Sequence, residues 1–207
     1  MWPEIHHHHH LVSEDPARLR PTQMTVGLAE VAIKRREWAA LDKKERREAL
    51  QQQVFPAVLG LEQRYYIIDH HHLGLALIEE RVRHVWIAIQ DDLSWLKPDV
   101  FWRVMEFRAW AHPFDDHGQR RDCRDIPRRL TQLQDDPYRS LANRVHEAGG
   151  YAKSAAPYAE FLWADFLRAN ISAGKVRRRP PLAVRAGVKL ARSAAARYLP
   201  GWAGRTP

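Results

Sequence analysis

With 207 residues, 45% of them hydrophobic, and a formal charge of +8, the chain is long enough for one sizeable core and short for two full domains. No apolar run approaches the roughly 18 to 20 uncharged residues that a membrane-spanning helix needs, and the N-terminus lacks the basic-then-apolar order of a signal peptide, so a cytoplasmic protein is expected. A single cysteine excludes an internal disulfide and a thiolate metal cluster.

His6 to His10 is set aside from site reasoning, because five solvated histidines bind metal ions without any fold. Residues 1–18 read as an N-terminal extension, and the chain organises from Leu19. Proline pushes its predecessor into extended geometry, so Arg20-Pro21-Thr22-Gln23 reads as extended, and Val26, Leu28, Val31 and Ile33 begin a helical pattern that continues through Trp38. A second helix, Lys43 to Gln53, mixes charge signs at three- and four-residue spacing and reads as a solvated face. Two strand-like segments follow, Val54 to Leu59 and Tyr65 to Ile68, joined by Gly60-Leu61-Glu62-Gln63-Arg64 in a hairpin. The second strand stops at Asp69-His70-His71-His72, after which Leu73, Leu75, Leu77 and Ile78 take helical spacing. A third strand, Val85 to Ile89, runs into Gln90-Asp91-Asp92, and Pro98 opens a helix through Phe107. Residues 111–129 are irregular, with Cys123 among Arg120, Arg121, Asp122, Arg124 and Asp125 in the pattern of a surface residue. Pro137 starts a helix through Val145, Gly149-Gly150 breaks it, and Pro157 opens a long apolar helix containing Trp163. Trp38, Trp86, Trp102 and Trp163 lie at core spacing and read as packing residues.

Charge is concentrated after this point. Residues 174–207 hold nine Lys or Arg and no acid, which leaves 24 basic and 25 acidic side chains for the rest of the chain. The body is balanced, and the basic character belongs to a tail reached through a linker at Ser172-Ala173-Gly174. Within it, Leu182 to Leu199 reads as a basic amphipathic helix suited to an anionic membrane, an acidic partner or nucleic-acid phosphates. Such a tail is expected to add little to the stability of the body.

Chemistry concentrates where a strand ends in an acid and histidines just ahead of a helix, because free N–H groups and the helix dipole there favour an anion such as phosphate. Asp69 is suited to hold a divalent cation (Mg or Mn) or to accept a proton, and His71 or His72 to donate to phosphate oxygens or act as general acid. Equally, Asp69 can be a helix cap and the histidines loop filling. A second group, His112, Asp115, Asp116 and His117, offers the ligand types for zinc, manganese or iron, or a solvated turn.

Arg20-Pro21-Thr22-Gln23-Met24-Thr25-Val26-Gly27 and Tyr65-Tyr66-Ile67-Ile68-Asp69-His70-His71-His72 resemble the two boxes of ParB-like proteins, the second being similar to their D-G-H-H-R element. Asp135-Asp136-Pro137-Tyr138-Arg139-Ser140-Leu141 and Glu160-Phe161-Leu162-Trp163-Ala164-Asp165-Phe166-Leu167-Arg168 resemble further stretches of the stand-alone ParB-like nuclease group. The resemblance runs from Leu19 to about Ile171 and implies an α+β fold of the ParB/sulfiredoxin type: a small mixed β-sheet flanked by helices, a helix-rich C-terminal half and the basic helical tail. It implies a site for a nucleotide or phosphorylated molecule between the boxes, with Thr22, Gln23 and His70 around it and hydrolase or phosphotransferase chemistry. In this sequence His70 replaces the box glycine, and Leu73 stands where the phosphate-binding arginine is expected, so Lys34 is the candidate replacement cation. No cysteine occupies the box, which excludes the sulfiredoxin reaction. DNA or an acidic surface is the expected partner of the tail, and a non-catalytic binding module or a metal-dependent enzyme of unrelated chemistry are the competing readings.

Overall fold

The computed structural model describes residues 11–204, and the His6 to His10 run lies outside the described residues. The chain is α+β and divides into two compact units, where one body with a tail was expected from its length. The first takes the residues up to Met24, Val31–Pro113 and Asp122–Leu133; the second takes Thr25–Glu30, Phe114–Arg121 and the chain from Gln134 onward.

In the first unit a four-stranded sheet has the order β1 (Leu11–Glu14), β5 (Val85–Asp92), β3 (Phe55–Leu59), β4 (Tyr65–Ile67). β3 and β4 form the expected antiparallel hairpin, Val58 facing Tyr66. β3 and β5 are parallel, with a register shift at Ala57/Val58, and the chain between them runs through β4 and α3 (His71–Glu79). β1 lies antiparallel on β5, so part of the expected N-terminal extension is instead an edge strand. At the opposite edge Arg20 bridges to Tyr66: its N–H donates to the Tyr65 carbonyl at 2.9 Å and its carbonyl accepts from Ile67 at 3.0 Å. The expected extended geometry of the first box is thus an added sheet rung. Phe55, Ala57, Val58, Ile67, Val85 and Ile87 are buried from the sheet, and Leu75, Leu77, Phe101 and Met105 from α3 and α4 (Pro98–Phe107). Cys123 belongs to this interior with Ile126, packed near Phe101 and Met105, which corrects the surface reading drawn from its charged neighbours. Trp86 departs in the other direction: it points outward between buried Val85 and Ile87 and is 40% exposed. α1 (Leu28–Ala40) buries Val31 and Trp38, while α2 (Lys43–Gln52), capped by an Asp42/Glu45 capping box, buries nothing and is the solvated helix its charges predict.

The second unit is helical, apart from a two-residue parallel ladder of β2 (Thr25–Val26) with β6 (Gln134–Asp135). α5 (Pro137–Glu147), α6 (Ala159–Asn170), α7 (Ala173–Arg178) and α8 (Pro180–Ala191) surround Trp163, which stacks on Tyr151 at 3.9 Å and donates from Nε1 to the Pro200 carbonyl at 2.8 Å. Val176, Ala183, Ala191, Ala196 and Leu199 are buried in the same cluster as Leu141, Val145 and Leu167. The C-terminal segment is therefore part of this core, and the expectation of a detached tail is corrected. The physical reason is size. Gly187 faces Val145, and a Cβ there would lie 2.5 Å from Val145 Cγ2, so a row of Ala183, Gly187 and Ala191 lets α8 approach α5 closely. Among the described residues no helix is long and apolar enough to cross a membrane.

Candidate functional site

β4 ends at Ile67 and α3 begins at His71, so three residues make the whole connection. His70 turns the corner in the left-handed region, φ 64° and ψ 23°, and its carbonyl accepts the first helical hydrogen bond, from Gly74 at 2.8 Å. Left-handed backbone strains any residue with a Cβ, which supplies a physical reason for the glycine of the D-G-H-H-R element. Here an imidazole occupies that position, and its ring lies 5.6 Å from the Phe55 ring. Asp69 is exposed; its Oδ1 accepts from the His70 N–H at 2.6 Å, a contact within the turn that caps no later helical N–H.

His71 is buried, 4% exposed, and performs a defined task. Its Nε2 accepts the Thr22 backbone N–H at 3.1 Å, while Thr22 Oγ1 donates to the Ile67 carbonyl at 2.8 Å and sits 3.4 Å from the same Nε2. One threonine of the first box thus ties the last residue of β4 to the first residue of α3. An imidazole nitrogen that accepts an N–H carries no proton, so the ring proton of His71 is on Nδ1. Nε2 is committed to holding the boxes together, and His72, half-buried, follows it in the first turn of the helix. Gln23 is buried and bridges to His112, whose N–H donates to the Thr22 carbonyl at 2.8 Å. His112 therefore borders the first box through its backbone.

Lys34 is half-buried on α1, and its neighbour Arg35 pairs with Glu79 at 3.0 Å and Glu80 at 2.8 Å, at the end of α3 opposite His71. α1 thus meets α3 far from the helical first turn.

Asp115, Asp116 and His117 lie in a tight loop of the second unit. Asp115, buried, accepts from the N–H groups of His117 at 3.0 Å and Gln119 at 2.8 Å and pairs with Arg121 at 2.7 Å. Burial, the largest single influence, pushes its carboxyl up, but the donors from Gln119, Arg121 and His117 together outweigh it and hold the group below the usual carboxylate range. The carboxylate organises a turn. Among the described residues no group of three or more His, Cys, Asp or Glu side chains is arranged to hold a metal ion.

Two stretches that the sequence reading noted separately come together in the second unit. Asp136 caps α5 by accepting from Tyr138 N–H at 3.0 Å and pairs at 2.5 Å with Arg168, which also holds Asp165. Burial pushes the Asp136 carboxyl up, opposed by Arg168. Arg139 stacks over Phe161, its guanidinium carbon 3.6 Å from the ring centre, with Glu160 3.8 Å away.

Residues 15–169, well over half of the chain, match the family described as "Putative ParB-like nuclease". The chain belongs to this ParB-like family. The match spans both the segments that Thr22 and His71 join and those that Asp136 and Arg168 join. The crystal structure of protein Atu1540 from Agrobacterium tumefaciens is similar to this ParB-like chain: 43% identity, a TM-score of 0.91, with 97% of this chain and 100% of that chain covered. So high a coverage takes in the C-terminal segment that lies beyond the family match. No curated protein matches the chain.

Proposed function

We propose that this ParB-like chain binds a phosphate of a nucleotide or nucleic acid at the first turn of α3 and cleaves or transfers a phosphoryl bond there. The observation that supports this most is the Thr22–His71 tie, because it holds the first box rigidly beside a helix N-terminus whose early N–H groups have no intrahelical acceptor. Asp69, exposed and, among the described residues, outside any ion pair, takes the proton of an attacking water as its oxygen bonds to phosphorus. His72 donates a proton to the departing oxygen as the phosphorus–oxygen bond breaks, and His71 positions both segments through Thr22. Among the described residues Asp69 supplies one carboxylate with no neighbouring ligand set, and no step is routed through a metal ion.

A specific observation favours a second reading, that the chain binds without catalysing: Leu73 occupies the position of the family's arginine, and leucine cannot form a bidentate phosphate contact. Thermal shift of the full chain with nucleoside triphosphates, paired with cleavage of a fluorescent oligonucleotide, separates the two. Catalysis predicts stabilisation by nucleotides, cleavage lost in Asp69→Asn with an unchanged apo melting temperature, and tighter phosphate binding in Leu73→Arg. If nucleotides stabilise the wild type without cleavage, and Asp69→Asn is indistinguishable from it, the binding reading replaces catalysis; if there is neither stabilisation nor cleavage, both readings of the α3 site fail.

A further inference from the structure

We propose that the exposed cationic face of α7 and α8 docks the sugar-phosphate backbone of nucleic acid, with one phosphate seated in the hollow where the two helices join. The packing of α8 decides which side chains face out. Ala183, Gly187 and Ala191 turn inward at four-residue spacing, which places Arg185 and Lys189 on the opposite, exposed face. Where α7 meets α8, an open hollow of about 660 Å³ is lined by Ser172, Gly174, Lys175, Arg178, Arg179 and Leu182.

Three observations select the occupant. No acid occurs after residue 173, so α7 and α8 carry no counter-charge of their own. Lys175, Arg178, Arg179, Arg185 and Lys189 are all exposed, and among the described residues none of them forms an ion pair; Arg178 makes only a long 3.5 Å contact to the Gly174 carbonyl. Arginine presents a planar donor fork matched to phosphate oxygens. The third concerns the membrane alternative. An amphipathic helix binds a bilayer through its apolar face, but Val184, Val188 and Leu190 are packed against the core of their own unit, leaving charge and the half-exposed Leu182 outside. A face of this composition suits a polyanion that is recognised by phosphates rather than by insertion.

The proposal is independent of the α3 site, and its test is made so. Binding of the full chain to a fluorescein-labelled DNA duplex is followed by anisotropy at mildly alkaline pH, and the integrity of the duplex is checked on a denaturing gel after each titration. Salt is varied between about 50 and 200 mM. The combined variant Arg178→Glu, Arg179→Glu, Arg185→Glu, Lys189→Glu should lose about ten-fold or more in affinity and most of the salt slope. The control Arg36→Glu, Lys43→Glu, Arg47→Glu, Arg83→Glu carries the same change of charge on exposed positions of the first unit and should lose far less. The milder Arg→Gln and Lys→Gln set at the same four positions serves if the reversed variant does not fold. Equal losses in test and control variants overturn the proposal, as does absence of DNA binding with retained binding to phosphatidylserine vesicles or to an acidic protein.

Discussion

The β4–α3 junction and the α7–α8 segment are secured by opposite means. At the junction a few directional contacts hold the chain: one imidazole nitrogen, one hydroxyl and one residue in left-handed backbone. Across α7 and α8 no single contact dominates, and the segment is held by many small apolar surfaces closing on Trp163 and Val145 while its charge is turned outward. The first kind of region loses function or register when one atom is removed. The second tolerates any single surface change and fails when its mass is removed.

The largest effect that distinguishes them is therefore truncation. Ending the chain after Gly174 removes Val176, Ala183, Ala191, Ala196 and Leu199 from the core and takes the Pro200 acceptor from Trp163. A buried aliphatic side chain contributes about 1.5 to 3 kcal/mol, so the loss is on the order of 5 kcal/mol or more. Circular dichroism melting should show a markedly lowered transition for the second unit. A melting temperature unchanged within a few degrees would return the segment to the status of an accessory tail.

Smaller, but out of proportion to its size, is His71→Ala. The Thr22 N–H, on a residue 2% exposed, is left without its acceptor, which costs about 1 to 3 kcal/mol. Urea unfolding gives the stability, and amide exchange at Thr22 should accelerate more than exchange in α5. Equal acceleration in both would mean that the imidazole fills space rather than ties the boxes.

Asp115 provides a pH-dependent contrast. Its folded carboxyl titrates below the usual value of about 3.9, so its contribution is complete above that pH and is lost as pH falls through the lower folded value. Asp136 acts oppositely: its raised folded value means that its share is present below the usual range and is lost as pH rises through the folded value. Asp115→Asn should thus lower stability near neutrality by about 1 kcal/mol and flatten the acid limb of the stability curve. An acid limb as steep as wild type would show that other carboxylates carry it.

What the sequence made legible follows the same division. β3, β4, α3 and the polar turn between them could be read because alternation, helical spacing and a D-H-H-H cluster are local signals. The Thr22–His71 pairing was foreseen only as two boxes sharing a site, since no local pattern records which imidazole atom meets which N–H. β2 and β6 escaped because two residues make no period and their partners are over a hundred positions apart. β1 escaped because four residues beside a histidine run leave too little alternation to read. The buried role of α8 was invisible because alanine and glycine register as weakly hydrophobic while the arginines beside them dominate the composition. Cys123 and Trp86 misled for a related reason: sequence neighbours do not reveal which way a side chain points.

The smallest effect bears on the strained corner itself. At His70 two opposing contributions nearly cancel: the left-handed backbone costs a Cβ-bearing residue about 1 kcal/mol, while contact with the Phe55 ring returns about 0.5 to 1 kcal/mol. His70→Gly relieves the backbone, forfeits the ring and adds freedom to the unfolded chain, so its stability should stay within about 1 kcal/mol of wild type. His70→Ala keeps the strain and loses the ring, and should fall below both by about 0.5 to 1 kcal/mol. His70→Val, branched at Cβ, should be the least stable of the series. Thermal melts of the four proteins give the order directly. If alanine matches or exceeds glycine, the corner is not strained in solution, and the preference for glycine in the D-G-H-H-R element must come from what approaches the backbone there rather than from its conformation.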